Sequence, residues 1–228
     1  MGRKIFYLLA TMAAVLALTR IGLADKEPVK LSFTFDQDRQ VYEESDYGEP
    51  PQVAIWIEDL SNGSIRTAYV TYRTATGDFY GKVECEVSLP FWIAAYRREF
   101  GMEGFPTPRE TAPDAITAAT SREMTVSAEI EVTRGKSYVY FIEMNVAGDF
   151  NAAFPLESAD GRLDYHGNGQ PSLIYSGHIL AEPGDSASPE PYGRTDQYQY
   201  TGEIIRDLRG MDNAFECLKN ILVICTEK

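Results

Sequence analysis

Residues 52–73 read Q-V-A-I-W-I-E-D-L-S-N-G-S-I-R-T-A-Y-V-T-Y-R. Val53, Ile55 and Ile57 share one face of an extended chain, and Ala54, Trp56 and Glu58 share the other. Both faces carry large apolar groups, as a strand covered on both sides requires. Ser61-Asn62-Gly63 then supplies a tight turn, because Asn-Gly readily adopts the positive φ of a hairpin. Ile65 to Arg73 returns as a β-branched and aromatic strand. The stretch predicts a β-hairpin, and it sets the fold class.

The same period of two recurs on either side. Leu31, Phe33 and Phe35 alternate with Ser32, Thr34 and Asp36. Val126, Ala128, Ile130 and Val132 alternate with Thr125, Ser127, Glu129 and Glu131. Arg134-Gly135-Lys136 turns the chain into Ser137 to Val146, which predicts a second hairpin. Ser172 to Ala181, Tyr198 to Arg206 and Leu222 to Thr226 complete the extended segments. Residues 37–51, 148–169 and 182–197 read as loops. Helical spacing is confined to two short pieces. Ser88 precedes Leu89, Trp92, Tyr96 and Phe100, with Gly101 as the stop, and Trp92 reads as a core anchor. Asp212 caps a helix reaching Asn220. No βαβ rhythm appears. The chain is therefore expected to be mainly β: an immunoglobulin-like antiparallel β-sandwich with one or two short helices in its connections.

Arg3 and Lys4, the apolar run Phe6–Leu18 and the Gly22-Leu23-Ala24 site form the layout of a signal peptide over residues 1–24, cut before Asp25. The apolar run is shorter than a spanning helix needs; an uncleaved anchor is the alternative. Residues 25–228 are then a single domain. The leader holds three of the 21 basic residues and none of the 34 acidic ones, so the remainder carries a formal charge of −16. Such a surface repels phosphate backbones, which excludes nucleic acid as a partner. Export predicts a periplasmic or secreted location.

Cys85, Cys217 and Cys225 are an odd set with no metal-ligand spacing, and with two histidines they leave little for a zinc or haem site. One disulfide and three free thiols both stay open. No G-x-S-x-G elbow, H-E-x-x-H or P-loop is present. Glu143, Asn145, Asp149 and Asn151 follow one another at a strand end and could supply oxygen ligands to Ca²⁺, or serve turn chemistry instead. Tyr192, Tyr198 and Tyr200 are candidate stacking residues for a secreted carbohydrate-binding or hydrolytic module.

Asp114-x-x-Thr117-Ala118-Ala119-Thr120 resembles the acceptor motif of flavin transferases, with Ala118 where that motif has Gly. The resemblance implies FMN joined to Thr120, with Asp114 and Thr117 in the recognition motif. The alternative is that Asp114 caps a turn leading into the next strand.

Beyond that motif, Val53–Asp59, Trp92, Asp114–Thr120 and Gly169–Ser176 resemble a predicted periplasmic family, domain of unknown function 2271. That resemblance implies an exported sandwich related to the immunoglobulin-like module of flagellar hook-capping proteins. It assigns no reaction. The expectation is a non-catalytic periplasmic protein, without a cofactor, that binds or scaffolds a periplasmic or membrane-associated protein. The alternatives are a covalent FMN carrier in electron transfer and the carbohydrate-binding or hydrolytic module.

Overall fold

The computed structural model describes residues 27–80, 88–107, 117–118, 124–198 and 201–228. The expected signal segment, Cys85, Asp114, Thr120 and Tyr200 lie outside the described residues. The protein is mainly β, two antiparallel sheets packed as a β-sandwich. The smaller sheet has the order β5-β1-β10-β8: β1 Pro28–Gln37, β5 Thr125–Thr133, β8 Ser186–Ala187 and β10 Leu218–Glu227. The larger has the order β4-β3-β2-β6-β7-β9: β2 Gln52–Asp59, β3 Ile65–Thr71, β4 Thr117–Ala118, β6 Ser137–Asn145, β7 Leu173–Leu180 and β9 Glu190–Arg194. β4 touches β3 through Val70 and Thr71 alone, in parallel. Among the described residues four short helices lie in connections: α1 Arg39–Glu43, α2 Tyr72–Thr76, α3 Pro90–Phe100 and α4 Asn213–Cys217.

The alternating residues pack as their period dictates. Leu31, Phe33 and Phe35 of β1 and Val126 to Val132 of β5 meet Ile55, Tyr140 and Ile142 of the larger sheet in the main core. The other face of β2 explains its double hydrophobicity. Ala54, Trp56, Phe141 and Ile174 form a second core beneath α3. Trp92, Ile93 and Tyr96 supply the helix side of it. Trp56 stacks on Phe141 at 5.2 Å, and Phe91 meets both rings edge-on.

The β2–β3 hairpin forms in the expected place, but its turn is longer than two residues. Gly63 alone takes positive φ, and its N–H reaches the Asp59 carbonyl at 2.7 Å. The second expected hairpin does not form. β5 pairs with β1, whereas β6 pairs with β2 and β7. Both edges of β6 are occupied, so Arg134–Lys136 becomes an arch carrying the chain from one sheet to the other. The Gly135 N–H pins the arch to the Ala181 carbonyl at the end of β7. The last helix also stops earlier than expected. Asp212 caps it, but Leu218 already pairs with Gln37, and positive φ at Asn220 marks a register shift in the ladder. The expected loop 182–197 holds β8 and β9, with Pro191 on an edge strand where its missing N–H is harmless.

Tyr140 is a local conflict in the main core. Its hydroxyl is buried without a partner among the described residues, and burial pushes its pKa up to about 12. It sits over Gly177, where a Cβ would lie 2.3 Å from the phenol oxygen. Tyr140→Phe removes a desolvated hydroxyl and is expected to stabilise the protein by about 1 kcal/mol. Thermal unfolding checks this; a rise of roughly 2–4 °C is expected, and a fall contradicts it.

Candidate binding surface

Glu143 is fully buried on β6, and α3 explains why. The helix lacks a capping side chain of its own, because Leu89 stands at the cap position and Ser88 is buried beside it. Its first amides turn to Glu143 instead. The Phe91 N–H donates to Oε1 at 3.1 Å and the Trp92 N–H to Oε2 at 2.6 Å. The Ser172 hydroxyl donates to Oε1 at 2.5 Å and is itself bonded to Thr195 at 2.9 Å. A strand carboxylate thus fills the role of an N-cap and fixes α3 to the sheet.

The other three acidic and amide candidates go to separate partners. Asn145 Nδ2 donates to the carbonyl of Gln170 at 2.9 Å. Asp149 accepts from Gln170 Nε2 at 2.7 Å and from Asn213 Nδ2 at 3.2 Å, and Gln170 also reaches Asp212 at 2.6 Å. Asn151 closes a turn through the N–H groups of Ala153 and Phe154. Among the described residues no group of three or more His, Cys, Asp and Glu side chains is placed to hold a metal. The four thus go to different partners: Glu143 to α3 and Ser172, the other three to the long 148–171 segment and its neighbours around α4. Sequence reasoning missed the partners Ser172, Gln170 and Thr195. The Gln170-Pro171-Ser172 run just before a strand was the available signal.

Burial dominates the titration of both acids. It pushes the Glu143 carboxyl up to about 7 against the pull of Ser172, Trp92 and Phe91. It pushes Asp149 up to about 6, with Asn213 pulling down and the Asp212 charge adding to the rise. A carboxyl raised on folding favours the folded state below its unfolded pKa and loses that contribution as pH rises through the folded value. Stability is therefore expected to fall between about pH 5 and pH 8, with Glu143 contributing about 3 kcal/mol at roughly 1.4 kcal/mol per unit. Urea unfolding across that range checks it; a flat or rising profile contradicts it.

Cys217, the last residue of α4, and Cys225, near the far end of β10, are buried free thiols. Most of the chain between them is the strand β10, which carries the two thiols apart. Burial pushes both thiols up, Cys217 to about 12. One face of two of the three candidate tyrosines is taken by a guanidinium: Arg206 lies 3.5 Å from the Tyr192 ring and Arg162 lies 4.6 Å from the Tyr198 ring. Of the flavin-type motif, the backbone of Thr117 joins β4, paired with Val70.

The open side of the sandwich lies where the edge of β3 faces the edge of β5. A groove of about 370 Å³ runs between them, roofed by the C-terminal end of α3. A smaller pocket of about 160 Å³ continues toward the Asp59–Lys136 ion pair, and Arg66 lines both. At Asp59 burial works to raise the pKa, but Lys136 and Ser61 hold it below the usual carboxylate range. The β3 edge is plugged. Glu99 accepts the Thr67 N–H at 3.0 Å and the Thr67 hydroxyl at 2.6 Å. The arch end of β5 is plugged as well: Arg66 Nη1 donates to the Glu131 carbonyl at 2.6 Å, and the Thr133 N–H meets the Tyr138 hydroxyl at 3.4 Å. Such side-chain plugs keep sheet edges from pairing indiscriminately.

These features define an antiparallel β-sandwich with one partly open side. No family model, curated protein or solved structure matches the chain. No helix among the described residues is long and apolar enough to cross a membrane.

Proposed function

We propose that this is an exported, non-catalytic sandwich that holds a partner protein in the periplasm, as its resemblance to domain of unknown function 2271 implies. One observation carries the reading: the candidate acids Glu143 and Asp149 and the described thiols are committed to holding the fold. Glu143 caps a helix, Asp149 is held by Gln170 and Asn213, and Cys217 and Cys225 are buried in the core. The open side between β3 and β5 is the surface left for recognition.

Two measurements test it. The intact mass of the exported protein, co-expressed with a flavin transferase, is expected to begin at Asp25 and to be the same in wild type and Thr120→Ala. An added FMN mass that Thr120→Ala abolishes overturns the reading in favour of a flavin carrier. Gel filtration of freshly released periplasmic contents is expected to show the protein eluting as a complex larger than its own monomer. Elution as a free monomer overturns the binding role.

A further inference from the structure

Asn-Gly occurs twice in the chain, at Asn62-Gly63 and at Asn168-Gly169. Glycine has no side chain to shield its amide nitrogen from the asparagine carboxamide just before it. The two copies stand in opposite surroundings. Asn168 is buried, and its Nδ2 donates to the Gln197 carbonyl at 3.3 Å. The Gly169 N–H donates to Asp164 Oδ2 at 3.0 Å, and the Asp149 backbone packs against Gly169. The groups that would have to move are held on the inside of the fold.

Asn62 lies in the turn between β2 and β3, where residues 60–64 are all exposed. The Ser64 N–H donates to Asn62 Oδ1 at 2.8 Å. If the Gly63 nitrogen adds to the side-chain carbon, that oxygen takes the negative charge, so the Ser64 amide already stands where an oxyanion would form. A Cβ at Gly63 would meet nothing nearer than Glu58 Oε1 at 3.8 Å, so the space around the glycine is open. The Gly63 N–H donates to the Asp59 carbonyl at 2.7 Å, which restrains the attack. That bond belongs to an exposed turn, which opens locally without unfolding the sheet.

We propose that Asn62 is a site of spontaneous deamidation, an ageing mark acquired by the folded protein, while the fold shields Asn168. The Gly63 nitrogen forms a bond to Asn62 Cγ, and its proton passes through solvent to the departing side-chain nitrogen, which leaves as ammonia. A five-membered succinimide remains. Water then opens one of its two carbonyls. One opening gives aspartate; the other gives isoaspartate, whose side-chain carbon enters the main chain and lengthens the turn. One water is consumed, one ammonia is released, and nothing is oxidised or reduced. Either product adds one negative charge to the formal −13 of the chain. The new carboxylate stands at the pocket that Asn62 and Ser64 line with Asp59 and Lys136. Asp59 is already ion-paired with Lys136, so the aged protein carries a second acid there. The pocket continues the groove assigned to recognition, but the modification itself does not depend on the binding role.

The test is ageing of the folded full chain in ¹⁸O-water at mildly alkaline pH, with aliquots digested in ordinary water and read by peptide mass. The tryptic peptides Gln40–Arg66 and Leu163–Arg194 hold one asparagine each, Asn62 and Asn168. Expected is a gain of about 3 Da on the first, at least about tenfold faster than on the second. Anion exchange of the same aliquots should show a more acidic form growing at the same rate. Asn62→Gln, an exposed change whose longer side chain would have to close a six-membered ring, is expected to abolish both signals. In urea the Asn168 peptide is expected to gain mass about as fast as the Asn62 peptide, because the shield is gone. No gain at Asn62 in the folded chain, an equally fast gain at Asn168, or a gain on Gln40–Arg66 that persists in Asn62→Gln overturns the proposal. An Asn168 peptide that stays inert in urea also overturns it, since the fold would then not be what separates the two sites.

Discussion

Glu143→Ala is expected to destabilise the protein by about 3–5 kcal/mol at pH 5. The substitution strips the acceptor from two helix amides and from the Ser172 hydroxyl, in buried or part-buried surroundings. It also leaves a hole where the side chain is fully buried. The effect should spread to α3, because Phe91 and Trp92 hold the helix against Trp56 and Phe141. Tryptophan fluorescence should therefore report a loosened Trp92 before global unfolding. Glu143→Gln is the informative companion. It keeps the size and one acceptor oxygen but points an amide N–H₂ at one of the helix donors, so a smaller loss of about 1–3 kcal/mol is expected. It should also abolish most of the fall in stability between pH 5 and pH 8, since no titrating group remains at the site. Urea unfolding of the three proteins at both pH values decides. A Glu143→Gln variant with the full wild-type pH dependence contradicts the assignment.

Gly169→Ala is expected to cost more than about 3 kcal/mol, through backbone contact instead of a lost bond. Gly169 has φ of +69°, and a Cβ there would lie 2.5–2.6 Å from the backbone N, C and O of Asp149. Those atoms cannot move freely. Asp149 bridges Gly169 in the sheet-like pairing of the two loop ends, and its carbonyl accepts the Gln170 N–H at 2.8 Å. Gly161→Ala is the control. It has φ of +83° but open space around its Cβ, so only the conformational term of about 1–2 kcal/mol applies. Paired unfolding curves separate the two; equal losses contradict the packing explanation.

The strands were legible because burial on one side leaves a period of two in the residues. Leu31-Phe33-Phe35 and Val126-Ala128-Ile130-Val132 carry that mark plainly, and Val53 to Glu58 shows that its second face is covered as well. Pairing partners were less legible. A three-residue turn at Arg134–Lys136 is compatible with a hairpin or an arch, and the choice depends on which edges β2 and β7 have already taken. The cap of α3 was hidden for a similar reason. Ser88 had the local chemistry of an N-cap, but the helix amides meet a carboxylate 51 residues away in sequence. A lone glutamate in an apolar strand, Phe141-Ile142-Glu143-Met144, announces that something unusual holds it. It does not say whether that is a metal, a proton or a helix end. That β5 has no second strand partner among the described residues follows from strand order, which no local pattern encodes.

The open side between β3 and β5 is the surface on which the proposed binding role rests; no strand among the described residues pairs with the outer edge of β5 beside it at Thr125, Ser127 and Glu129, and amide exchange of the unliganded protein measures that edge directly. Val126, Ala128 and Ile130, bonded to β1, are expected to exchange slowly, while Thr125, Ser127 and Glu129 exchange at close to solvent-exposed rates. Slow exchange at Ser127 and Glu129 as well would mean that the edge is already covered and would contradict it.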